Sequence, residues 1–211
     1  MTTVFIAGSI TIKDLDVKVQ ERLMNVIVQK HKILVGDADG ADVSIQQFLF
    51  ENDAQHVTVY CSGATPRNNV GDWEVHSVTT YHKPGSRAYF TAKDIEMAAA
   101  ADHGLMIWDA KSTGTLSNVI ELLTRKKSSL VFLNKAKEFQ KVLCAADLDG
   151  LVARMSDAAR LKANTKVGLF ERLDALRSRE KQFALLAAKA VAGKEGEGMA
   201  LKEPKFNVNS H

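Results

Sequence analysis

The chain has 211 residues, 45% hydrophobic and 25% charged, with a formal net charge of +3, an ordinary globular composition that suits one domain with an extension or two small domains. No apolar run approaches the roughly 18 residues that span a bilayer, and Lys13, Asp14 and Asp16 break up any signal-peptide core near the N-terminus, so the expectation is a cytoplasmic protein with no membrane partner. Cys61 and Cys144 stand far apart, and the six His fall in no metal-ligand spacing, which argues for thiols rather than a disulfide and against a metal site.

Taken in chain order, the apolar runs predict strand 3–7, helix 14–30, strand 32–35, helix 40–52 and strand 56–61. A loop at 62–72, a short strand at 73–80 and helix 87–101 follow, the last preceded by Pro84-Gly85. Strand 104–108, helix 114–126 and strand 129–133 complete a core in which Val/Ile/Phe-rich runs alternate with helical segments. That alternation predicts a three-layer α/β fold, a doubly wound parallel sheet with helices on both faces, over residues 1–134.

Beyond it, Phe139–Leu143 reads as an edge strand, Asp147 as the cap of a short helix through Met155, and 165–192 as one long helix. Leu169, Leu173, Leu176, Phe183, Leu185 and Leu186 give that helix an apolar stripe, for packing on the core or on a second copy. The segment 135–192 is thus expected to be a helical extension, and the Gly/Glu/Lys-rich 193–211 a disordered tail. Charge divides with it: residues 1–133 carry 13 Lys/Arg and 15 Asp/Glu, whereas 134–211 carry 15 and 10. Such a basic tail suits either a solvated helical face or contact with nucleic acid.

Three polar loops follow apolar strands and open helices. Gly8-Ser9 combines a residue that permits close backbone approach with a hydroxyl donor. The run Gly36-Asp37-Ala38-Asp39-Gly40-Ala41-Asp42 places Asp42 in a first helical turn, where a carboxylate either caps the helix or meets a ribose. Lys111-Ser112-Thr113-Gly114-Thr115 brings hydroxyls, a glycine and a cation to a helix N-terminus, the setting that holds phosphate. Arg87 and Tyr89, at the start of the preceding helix, are suited to a phosphate and a base. Asp94, spaced with Met97 and Ala98, lies either on an inward face or in solvent. The glycine spacing is neither G-x-G-x-x-G nor a Walker A loop, and the D-x-D-G run lacks the remaining EF-hand ligands, so no cofactor and no metal are expected.

Gly8-Ser9, G-D-x-x-G-A-D and S-x-G-T, in this order, resemble the SLOG superfamily of Rossmann-like nucleotide-binding proteins, which includes the lonely-guy phosphoribohydrolases and the DNA-processing protein A family. The resemblance covers about residues 3–133. It implies a nucleotide or nucleotide-derived ligand at the carboxyl edge of the sheet, bound by Gly8, Ser9, Gly36, Asp37, Gly40, Asp42, Arg87, Tyr89, Ser112, Gly114 and Thr115. In the lonely-guy enzymes a Glu follows the Gly-Thr pair and acts in N-glycosidic cleavage; here that position is Asn118, with Glu121 three residues on. Arg87-Ala88-Tyr89, Asp94, Ile107-Trp108-Asp109 and Gly114-Thr115 are also similar to nucleoside 2-deoxyribosyltransferases, whose nucleophilic Glu again corresponds to Asn118. Asn neither accepts a proton nor attacks carbon. The sequence therefore leaves two readings. One is a SLOG-like ligand-binding or sensing protein that takes a phosphorylated nucleoside or related small molecule. The other is an enzyme acting at an N-glycosidic bond, with Asp94, Asn118 and Glu121 nearest the chemistry. A homo-oligomer, most simply a homodimer, follows from the apolar stripe.

Overall fold

A computed structural model describes residues 1–197, with side-chain surroundings given through residue 187. The expected three-layer Rossmann-like α/β fold is present. The elements run β1 (Thr3–Gly8), α1 (Val17–Val28), β2 (Lys32–Gly36), α2 (Ala41–Glu51), β3 (Val57–Ser62), β4 (Glu74–Val78), α3 (Arg87–Ala100), β5 (His103–Trp108), α4 (Thr113–Thr124), β6 (Ser128–Leu133) and β7 (Glu138–Val142). Then come α5 (Ala145–Val152), α6 (Asp157–Val167) and α7 (Leu169–Glu197). No helix among the described residues is long and apolar enough to cross a membrane.

The strands form one sheet in the order β4-β3-β2-β1-β5-β6-β7. Every pairing is parallel except β6 with β7, so the strand expected at 139–143 closes the sheet as an antiparallel edge. From β1 the chain winds to one side through β2, β3 and β4, then returns across the sheet to β5 and winds to the other. The switch point thus falls between β1 and β5, which is where open α/β sheets bind ligands. Helices α1 and α2 pack on one face over Ile6, Val35, Val59 and Ile107. On the other face α3, α4 and the C-terminal helices cover Phe5, Leu34, Met106, Trp108 and Val131. The winding explains the division, because right-handed crossovers in opposite directions put their helices on opposite faces.

The C-terminal region belongs to this second core. Leu148, Leu151, Leu169 and Leu173 are buried in the same cluster as Met106 and Val131. Two local expectations need correction. The helix expected as one piece over 165–192 begins at Leu169, and a separate helix, α6, precedes it. Ser156 caps α6 by accepting the Ala159 N–H at 3.3 Å, and Gly168 ends it in the left-handed region at φ 62°, the usual helix stop. Asp147 does not cap α5: it lies inside the first turn and reaches back to accept the Leu143 N–H at 2.8 Å. Of the tail expected to be disordered, 193–197 continue α7, and 198–211 lie outside the described residues.

Candidate functional site

The three polar loops meet at the carboxyl edge of the sheet. Gly8 ends β1 where a Cβ would collide with Ala41 at the start of α2 and with the Ile107 carbonyl of β5, so a glycine there lets strand and helix touch. Gly40 turns the chain into α2 at φ 76°, against the backbone of Ile10. Ser9 has no exposed surface; its Oγ accepts the Asp109 N–H at 3.1 Å and lies 3.4 Å from Thr115 Oγ1. Thr11 Oγ1 also donates to Asp109 Oδ2 at 2.9 Å. The loop after β1 is thereby tied to the loop after β5.

Asp109 organises the turn into α4. Its Oδ1 accepts the N–H groups of Lys111 at 2.8 Å and Ser112 at 2.6 Å. Burial works to raise this carboxyl, but the Ser112 and Lys111 amides and the Thr11 hydroxyl outweigh it and hold the group below the usual carboxylate range. Ala110, between the amide donors and the strand, sits at φ 60°, a left-handed conformation that costs an alanine about 1–2 kcal/mol. Ser112 caps α4, its Oγ accepting the Thr115 N–H at 3.5 Å and the Thr115 hydroxyl at 3.2 Å. Above it, the N–H groups of Thr113 and Gly114 have no partner among the described residues. A Cβ on Gly114 would meet only Ser112 Oγ, at 4.0 Å. Arg87 Nη1 donates to Thr113 Oγ1 at 3.1 Å. Two unpartnered amides, open space and a guanidinium therefore converge at one helix N-terminus.

Beside it lies a charged cluster centred on Lys93, a residue the loop motifs do not include. The Lys93 side chain is 5% exposed; its ammonium donates to Asp94 Oδ1 at 2.9 Å and lies 3.9 Å from Asp37 Oδ1. Gly36 lies directly against this ammonium and the Asp42 carboxylate, and its carbonyl accepts Gln46 Nε2 at 2.8 Å. Burial works to discharge Lys93, yet Asp94, Asp42 and Asp37 outweigh it and keep the amine protonated. Asp37 is gripped by Arg67, whose Nε and Nη2 donate to its two oxygens at 3.0 and 2.8 Å and whose backbone N–H adds a bond at 3.1 Å. The Arg67 guanidinium also stacks 4.6 Å from the Phe90 ring centroid. Asp42 is fully enclosed, and burial pushes its carboxyl up to about 6 against the pull of Lys93.

The other sequence-selected residues divide. Tyr89 joins the assembly by donating its hydroxyl to the Ser62 carbonyl at the end of β3. Asn118 is 6% exposed on the α4 face that bears Thr115, and its amide has no partner among the described residues. Asp94 is less buried than Lys93, so the inward position on α3 belongs to the lysine. Glu121 is outside the site: it receives Arg125 at 2.8 Å and Arg172 at 3.2 Å. Arg67 and Lys93 are the participants that motif reading does not find. For Lys93 a signal existed, since it precedes the buried Met97 by one helical turn.

The crevice over β1 and β5 is bridged by the bonds to Asp109, and the open volume lies beside it. A cleft of about 590 Å³ runs along α3 between the end of β4 and helices α4, α6 and α7, with Arg87 at its margin.

No protein-family model and no curated protein matches the chain. Among solved structures, it is similar to DNA processing protein A from Helicobacter pylori, described for its single-stranded DNA binding mode. The TM-score is 0.51 at 18% identity, over 78% of this chain and 79% of that one. At this identity the likeness is one of fold.

Proposed function

We propose that the protein binds a phosphorylated nucleoside at the carboxyl edge of its sheet, as a SLOG-like ligand-binding protein. One observation carries the reading: the unpartnered N–H groups of Thr113 and Gly114 at the N-terminus of α4, with Arg87 docked beside them on Thr113. Helix N-terminal amides and a guanidinium form a receptor for an anion. The open space over Gly114 leaves room for one. The amide of Asn118, one turn further along α4, has no protein partner among the described residues and keeps access to solvent, so a ligand can contact it. Fold likeness to a protein described as binding single-stranded DNA agrees with a nucleotide-class ligand. A second copy of the chain is the partner that suits α7, where Phe183, Leu185 and Leu186 are 48%, 65% and 56% exposed.

Calorimetry with adenosine and adenosine 5′-monophosphate tests the reading. The monophosphate binds and the nucleoside binds at least roughly tenfold more weakly, the value of about one charge-assisted contact. Equal affinity for the two removes the phosphate from α4.

A further inference from the structure

We propose that the cleft along α3 is a second phosphate subsite, built by the C-terminal helices, for a ligand that carries another phosphate one nucleoside away from the first. The inference rests on the reading of α4 given above and extends it.

Thr113 and Ser117 are four residues apart on α4, so their side chains stack along one face, about 6 Å apart along the helix axis. Each holds a guanidinium. Arg87 Nη1 donates to Thr113 Oγ1 at 3.1 Å, and Arg172 Nη1, from α7, donates to Ser117 Oγ at 2.9 Å. The two hydroxyls that hold these guanidinium groups are thus set out along α4 at an interval of the order that separates the 5′ and 3′ phosphates across one ribose. Both line the same cleft of about 590 Å³, a volume in the usual range for small-molecule sites.

The charge is right for an anion. Lys166, in the last turn of α6, lines the cleft with an exposed side chain and no partner among the described residues. Arg172 gives Nη2 to Glu121 at 3.2 Å, but Glu121 is shared with Arg125 at 2.8 Å, and a guanidinium has further N–H donors to offer. Glu96 is the carboxylate that lines the cleft, and it is engaged by His76 Nε2 at 2.9 Å. The floor is apolar, formed by Val78, Ala92 and Ile95, a surface against which a ribose or base can rest. Lys166 and Arg172, the cations added beyond Arg87, come from α6 and α7, outside the stretch that carries the nucleotide-loop motifs.

The test uses the full chain, titrated calorimetrically with adenosine 5′-monophosphate, adenosine 3′,5′-bisphosphate and a single-stranded oligothymidylate. The variant is Lys166→Glu, at an exposed position whose loss leaves the fold intact by circular dichroism. The bisphosphate binds roughly tenfold more tightly than the monophosphate, the gain of about one charge-assisted contact. Lys166→Glu abolishes the gain and leaves the monophosphate unchanged. If the bisphosphate and the oligothymidylate gain nothing over the monophosphate, or if the gain survives in Lys166→Glu, the subsite is wrong while the α4 reading stands. A bisphosphate that binds through Lys166 when the monophosphate does not bind keeps the cleft and overturns the α4 reading. If an oligothymidylate alone responds to Lys166→Glu, the second phosphate is that of a strand, and the subsite stands. No binding by any of the three overturns both.

Discussion

Arg67 grips Asp37 with a two-pronged contact at 3.0 and 2.8 Å, and so fastens the loop between β3 and β4 onto the end of β2. That loop joins two parallel strands without a helix, and its other polar ties run through Asn68, whose Nδ2 donates to the Asp37 carbonyl at 2.9 Å, and through Gln46, which meets the Asn68 carbonyl at 3.3 Å and the Val70 N–H at 2.9 Å. Arg67→Ala removes both guanidinium bonds and leaves the buried Asp37 carboxylate with the backbone N–H at position 67 and the Lys93 ammonium 3.9 Å away. The expected loss is about 2 kcal/mol, the scale of a hydrogen bond to a charged group, measured by chemical denaturation. Arg67→Lys restores part of it, because an ammonium cannot reproduce the fork. Burial works to raise Asp37, and the Arg67 bonds outweigh it to hold the carboxyl below its ordinary value. Its contribution is therefore present above the unfolded pKa of about 4 and is lost as pH falls through the lower folded value. In Arg67→Ala that acid-side loss shrinks. A variant as stable as the parent, with the same acid limb, excludes the fork as the fastening.

Asp42 acts with the opposite sign. Its folded carboxyl stands at about 6, above the ordinary 3.8, because burial outweighs the attraction of Lys93, with Asp94 and Asp37 adding repulsion. Between those values the native state holds a proton that the unfolded chain has released. Stability from this group therefore falls as pH rises from about 4 to about 6 and is level above that, a change of up to about 3 kcal/mol. Asp42→Asn removes the titration. Denaturation midpoints compared at pH 4.5 and 7 should show a decline in the parent that the variant lacks. Identical pH profiles for the two proteins would mean that Asp42 is not enclosed.

Why the sheet is readable in the sequence and the charged cluster is not has a physical cause. Strands β1, β2, β3, β5 and β6 are buried on both faces, so each is a near-continuous apolar run. Helix α6 buries only Ala159 and Ala163 and presents no apolar stripe, so only Ser156 and Gly168 mark its ends. The loops around Gly8, Gly36 and Ser112 announce themselves by glycine and hydroxyl content. Lys93 and Arg67 do not, because a lysine in a helix and an arginine in a loop ordinarily face solvent. Asp37, the carboxylate they share, is 56 residues before Lys93 and 30 before Arg67, and only the sheet order brings the three together. Glycines read for ligand contact have partners within the chain as well: Gly8 admits Ala41 and Gly40 admits Ile10.

Gly114→Asp separates binding from folding. A side chain there enters open space, with Ser112 Oγ 4.0 Å away. A carboxylate in the first turn also favours the helix by about 0.3–1 kcal/mol. The variant should be at least as stable as the parent by thermal melting, yet lose adenosine monophosphate binding by roughly tenfold or more through charge repulsion at the two free amides. Retained affinity would place the phosphate elsewhere.

Assembly through α7 is open to light scattering. Leu169, Leu173 and Leu176 are buried, whereas Phe183, Leu185 and Leu186 stand out on the distal part of the helix. Leu185→Asp with Leu186→Asp should convert a dimer into a monomer without changing the melting of the body, since neither side chain is in the core. A parent chain that is already monomeric excludes a second copy as the cover of this face. Removing everything after Asn134 is a poorer test, because Leu148 and Leu151 of α5 belong to the core.

Hydrolysis at an N-glycosidic bond requires a carboxylate near the anomeric carbon, to direct water or form a covalent intermediate. Asn118 stands where the sequence resemblance alone would put a Glu, and an amide does neither. The neighbouring carboxylates are committed elsewhere. Glu121 is held by Arg125 and Arg172 at 2.8 and 3.2 Å, Asp94 receives the Lys93 ammonium at 2.9 Å, and Asp42 is enclosed beneath Gly36 and Lys93. The expected outcome is binding without turnover: no free base on chromatography after incubation with a panel of nucleosides and nucleotides. Asn118→Ala should weaken monophosphate binding, by roughly fivefold for one lost hydrogen bond of about 1 kcal/mol, and release no base either. Base release that persists in Asn118→Ala and disappears in Asp94→Asn would make the protein a glycosidase with a relocated carboxylate. The Lys93 contact would then serve to orient the Asp94 carboxylate as its nucleophile or base.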